Sequence, residues 1–99
     1  MNKEQTEAYQ ALIAIRRARF RDRNTSELQA RLNQKTAEKP LKVFAGLSKI
    51  HQAALNAIYV KVEAREAIAK NLNMSIEELE KLEAEALKEY GKRLRSAAE

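Results

Sequence analysis

The sequence predicts an all-α fold, a small bundle of four or five helices, on three observations. Glycine and proline, the residues that punctuate hairpin turns, number only two and one in 99 residues, too few for a hairpin-rich sheet. Ala, Leu, Glu, Lys, Arg and Gln dominate the chain, and these are strong helix formers. Apolar residues recur at three- and four-residue steps through most of the sequence, the period of a half-buried helix.

The first helix is expected from about Thr6 to Asp22, with Tyr9, Leu12, Ile13 and Phe20 near one side and Ile15 beside them. Asn24-Thr25-Ser26 then breaks or caps, and Ser26 with Gln29 fits a capping box. A short helix follows to about Lys35, burying Leu28 and Leu32, and the polar stretch Asn33–Lys39 is expected to be a linker. Pro40 suits the first turn of the next helix, which turns Leu41, Val43 and Phe44 inward.

Ser48 is a natural N-cap for the apolar series Leu47, Ile50, Ala54, Leu55, Ile58 and Val62, which Ile68, Ala69 and Leu72 continue. Nothing in Val62-Glu63-Ala64-Arg65 breaks a helix, so residues 49–72 fit either one helix or two. Ser75 and Glu78 form a second capping box and open a last helix with Ile76, Leu79, Leu82, Ala86, Leu87 and Tyr90 on one face. Gly91 is the expected residue just past its end, leaving Lys92–Glu99 as a frayed tail. The expected division is residues 1–39 as a basic helical arm or oligomerisation helix plus linker, and residues 40–99 as a helical core module, within one compact domain.

From Leu47 to Leu94 the text resembles the helix-turn-helix of sigma factor region four and related small transcription regulators. The residues that carry the resemblance are Leu47 and Ser48, then Leu55 and Tyr59, then Ile68-Ala69 before Leu72-Asn73-Met74-Ser75, then Ile76, Leu79 and Ala86-Leu87. The resemblance implies a DNA-binding unit in which a helix from Ile76 crosses the one before it and faces a groove. Its outward positions, however, are Glu77, Glu78, Glu80, Glu83 and Glu85, and carboxylates are repelled by phosphates.

Charge points to the other half of the chain. Residues 1–42 carry ten basic and five acidic side chains, and residues 43–99 carry nine of each, so the whole net charge of +5 lies in the N-terminal part. Arg16, Arg17, Arg19, Arg21 and Arg23 fall within eight residues against the single Asp22. Arginine forks match phosphates bidentately and stack on bases, which makes these five the expected nucleic-acid contacts, with Lys92, Arg93 and Arg95 as a second patch. The rival expectation is an inhibitor or adaptor that meets a basic protein through Glu77, Glu78, Glu80 and Glu83.

Other chemistry is excluded or unsupported. The chain has no cysteine, hence no disulfide, thiolate metal site or thiol nucleophile. His51, the one histidine, lacks the companion ligands a metal needs. The tyrosines and phenylalanines sit at helical core spacing and are expected inside. Gly46 and Gly91 are isolated and make no phosphate loop. No cofactor and no catalytic residue is expected, and the chain is not expected to be an enzyme. The run Ala11–Ile15 is too short for a signal peptide and arginines follow it. Nothing approaches the roughly 20 apolar residues of a membrane span. The expectation is a small cytoplasmic transcription regulator, of a size carried by phages or plasmids, with DNA or RNA as partner and no membrane. Leu12, Ile13, Ile15 and Phe20 give the first helix more apolar surface than a solvated arm needs, so it either caps the C-terminal module or pairs with its twin, and a homodimer is the expected outcome.

Overall fold

The computed structural model describes residues 2–19 and 26–98. Among them lie five α-helices and no strand: α1 (Lys3–Arg19), α2 (Glu27–Phe44), α3 (Lys49–Leu55), α4 (Arg65–Asn71) and α5 (Ile76–Ala98). A single π-helical turn, Asn56–Val60, continues α3. The all-α bundle expected from composition and periodicity is the fold.

Helix starts follow local chemistry. Ser26, Ser48 and Ser75 each cap a helix through the side-chain oxygen, accepting the backbone N–H of Gln29 at 3.1 Å, His51 at 3.4 Å and Glu78 at 3.1 Å. Asn2 caps α1 in the same way, taking the Gln5 N–H at 2.8 Å while its own N–H donates to the Gln5 side chain.

Three expectations are corrected. Residues 33–39 are not a linker. They continue α2 without a break, and Pro40 lies inside that helix. An interior proline removes one helical hydrogen bond and costs about 3 kcal/mol. Here the helix is held from outside: Ala37 is fully buried, and the Pro40 carbonyl accepts the Tyr90 hydroxyl at 2.7 Å. Gly91 does not end α5, which runs on to Ala98 through the expected tail. It lies where α1 crosses α5, and a Cβ there would stand 2.1 Å from the Glu4 carbonyl oxygen. Leu28 and Leu32 are not buried; they are 69% and 50% exposed on the outer side of α2.

Residues 49–72 form two helices, not one. The break falls at Val62, whose φ of 55° puts a β-branched residue in the left-handed region. The π turn before it closes with Lys61 N–H donating to the Asn56 carbonyl at 2.9 Å and Glu63 N–H to the Ala57 carbonyl at 2.9 Å. The end of α4 is a Schellman motif: Asn73, also at φ 55°, donates to the Lys70 carbonyl and Met74 to the Ala69 carbonyl.

Two apolar clusters share α5. The larger joins Ala8, Leu12 and Ile15 of α1 to Leu47, Leu55, Val60, Ala86, Leu87 and Tyr90. The smaller joins Ile68 and Ala69 of α4 to Leu79, with Leu72 and Met74 against it. Helix α1 is therefore part of the core and not an arm. Of the four residues on which a homodimer is expected, Leu12 and Ile15 are buried within the chain, Ile13 is half-buried, and Phe20 lies outside the described residues.

Candidate nucleic-acid interface

Burial of Ala8, Leu12 and Ile15 fixes the rotation of α1, and that rotation sends its last basic residues outward. Arg16, Arg17 and Arg19 are all exposed. Among the described residues none of them forms an ion pair; Arg19 donates only to the Asn56 side-chain oxygen, at 3.5 Å. Arg16 lines a cleft of about 340 Å³ against the π turn. Arg21 and Arg23, with Phe20, lie outside the described residues.

The second expected patch is differently placed. Lys92 is exposed. The Arg93 Nε donates to Glu89 at 3.1 Å along α5, and the Arg95 Nε donates to Glu7 at 3.1 Å, pinning α5 to α1. Two of its three cations thus already hold carboxylates.

The acidic side of α5 divides as well. Glu77 and Glu80 are exposed. Glu78 turns back to its own cap, accepting the Ser75 hydroxyl at 3.3 Å. Glu83 is committed to structure: Arg65 of α4 donates to it, and the Tyr59 hydroxyl donates to its Oε2 at 3.2 Å. Burial first, and the neighbouring Glu83 charge second, push the Tyr59 phenol up to about 12. The hydrogen bond to Glu83 likewise raises the Arg65 guanidinium above its ordinary value. Burial alone raises the Tyr90 phenol.

Two features escaped the sequence reading. Once α2 is continuous, Arg31, Lys35, Lys39 and Lys42 fall at steps of four, four and three along one side, all exposed. The helical period carries this signal, but the polar stretch 33–39 reads along the chain as a linker. The other is Tyr9. It is 41% exposed rather than in the core, and it meets Tyr59 edge-to-face with ring centroids 5.7 Å apart. Helical spacing put it near the apolar side of α1, and only the position of the π turn decides that it is at the rim.

His51 is half-buried at the start of α3. Among the described residues no group of three His, Cys, Asp or Glu is arranged to hold a metal ion, and no helix is long and apolar enough to cross a membrane. No protein-family model matches the chain, and neither curated proteins nor solved structures yield a match.

Proposed function

We propose that the chain is a small nucleic-acid-associated regulatory protein, and that it meets its ligand through the C-terminal end of α1 and the basic side of α2 rather than through α5. One observation carries this: Arg16, Arg17 and Arg19 stand exposed together, with no carboxylate partner among the described residues. Unpaired guanidinium groups keep their full capacity for phosphate. Helix α2, packed against α1, carries a second exposed basic row, Arg31, Lys35, Lys39 and Lys42. The helix-turn-helix resemblance of residues 47–94, carried by their sequence pattern, supports the regulatory half of the proposal. The acidic outer face of α5 opposes phosphate contact there.

The test is the salt dependence of binding to duplex DNA and to structured RNA. Each phosphate contact contributes roughly one log unit of affinity per log of salt. Replacing Arg16, Arg17 and Arg19 together by Ala is expected to flatten that slope by about two to three units and to weaken binding to all sequences, with the helical spectrum intact. Replacing Glu77, Glu78 and Glu80 by Gln is expected to leave binding equal or stronger.

A second reading, a protein-binding adaptor, is favoured by the pair Glu77 and Glu80, exposed beside the exposed Ile76. It predicts the reverse pattern for the same variants. If wild-type protein ignores duplex DNA, structured RNA and single strands alike at low salt, the adaptor reading replaces the first.

A further inference from the structure

We propose that the cleft between α1 and the π turn receives one unpaired nucleobase of a nucleic-acid strand, with Tyr9 and Tyr59 as its aromatic wall and Arg16 as the contact for the adjoining phosphate. The proposal rests on the nucleic-acid reading above and names the form of strand that the protein takes.

Size comes first. At about 340 Å³ the cleft sits at the small end of ligand pockets, which run from about 300 to 1,000 Å³. It fits a single base and excludes a duplex, whose bases are stacked and paired.

Its chemistry is that of a stacking site. Tyr9 keeps 41% of its surface in water although Ala8, Ala11, Leu12 and Ile15 of the same helix are buried. Its ring meets Tyr59 at an interplanar angle of 83°. An edge-to-face pair consumes only one ring face, so flat aromatic surface remains for a base, whose own π-face suits any aromatic platform. Ile13, Ile58 and Val62 supply the apolar part of the lining, and Val62 is 54% exposed.

The wall is held in place before any ligand arrives. The Tyr59 hydroxyl donates to Glu83, and Arg65 clamps the same carboxylate. Less side-chain freedom is then lost on binding. Charge is graded around the opening. Arg65 also lines the cleft but is engaged with Glu83, whereas Arg16 has no ion-pair partner among the described residues. Glu63 lines the cleft too and turns phosphate away from itself, which leaves Arg16 as the cation for the strand. The lip carries Val62 at φ 55° after a π turn; π turns and left-handed non-glycine residues recur at binding positions.

The experiment measures anisotropy of a short labelled DNA strand, the same sequence in RNA, and the DNA strand annealed to its complement. Each is titrated with wild type, Tyr9→Ala, Tyr9→Phe and Arg16→Gln. Tyr9→Ala is expected to weaken binding of the single strands by roughly 5- to 150-fold, the range for loss of one base–aromatic stack, and to leave the duplex unchanged. Tyr9→Phe is expected to restore single-strand affinity. Arg16→Gln is expected to lower the salt slope for single strands by about one unit. The chain has no tryptophan, so its own emission comes from tyrosine and is expected to be quenched by single strands in wild type; this readout needs no variant to fold. A difference between the DNA and RNA arms tells which backbone the site takes. If single strands bind Tyr9→Ala as tightly as wild type, the cleft is not the site. If wild type binds duplex alone, the base-binding inference fails and the nucleic-acid reading stands. If nothing binds, both fall.

Discussion

At Gly91 the backbone of α5 lies directly against that of α1. In an isolated helix interior, Gly→Ala stabilises by about 1 kcal/mol. Here the added methyl would lie 2.1 Å from the Glu4 carbonyl oxygen, and the atoms it meets are backbone. Backbone cannot swing aside as a flexible side chain can, so the start of α1 must move off α5. Gly91→Ala is therefore expected to destabilise the protein by about 1–3 kcal/mol, the usual cost of overpacking, seen as a lower urea midpoint. An unchanged or raised midpoint would show that α1 does not sit as described. From its place in the sequence Gly91 looked like a helix terminator. A glycine that permits close packing and one that ends a helix read alike along the chain, and they differ only in what lies opposite.

At the scale of elements, the two breaks after α3 and α4 make an instructive pair, because Val62 and Asn73 share a φ of 55°. Asparagine tolerates the left-handed region, whereas an L-residue without that tolerance pays roughly 1–2 kcal/mol there. Val62 is over half exposed, so little packing offsets the strain. Val62→Asn is expected to raise stability by about 1 kcal/mol, and Asn73→Val to lower it by a similar amount. For a domain of this size the shift is about 4–8 °C in Tm per kcal/mol. Thermal melts of the two variants moving in the same direction would contradict the strain account. The serine caps of α2, α3 and α5 could be placed from sequence because a cap is a contact over three residues. The break at Val62 could not, because no local preference of valine produces it. It follows from docking the π turn against α1 on one side and α4 against α5 on the other.

At the scale of the molecule, stability against alkali reports how tightly the tyrosines are built in. The Tyr59 phenol is raised from 10.0 to about 12 by burial and by Glu83, and that of Tyr90 is raised by burial. A group raised in the folded state contributes stability that is complete below its unfolded value and is lost as pH climbs through the folded one. Unfolding free energy is thus expected to fall between pH 10.0 and about 12. Tyr59→Phe is expected to lose less across that window than wild type, measured by urea titration at several pH values. Equal losses would mean that Tyr59 ionises alike folded and unfolded. The same two tyrosines tie distant parts of the chain together, Tyr90 to Pro40 of α2 and Tyr59 to Glu83 of α5. In this way a core too small to grow in one place is closed at two.

The all-α class, three serine-capped helix starts, the buried stripe Leu79, Ala86, Leu87 and Tyr90, and the exposure of Arg16, Arg17 and Arg19 are legible along the chain. All of these follow from local propensity, capping contacts or the 3.6-residue period, which act within a few residues. Tertiary structure alone decided that α2 runs through Pro40, that α1 belongs to the core, and that Leu28 and Leu32 face water. It also decided that Glu83 serves Arg65 and Tyr59, and that Tyr9 stands at the rim of a cleft. Each of these depends on which surface lies opposite, and amphipathic spacing tells only that a face is apolar, not whether a partner in the same chain will cover it.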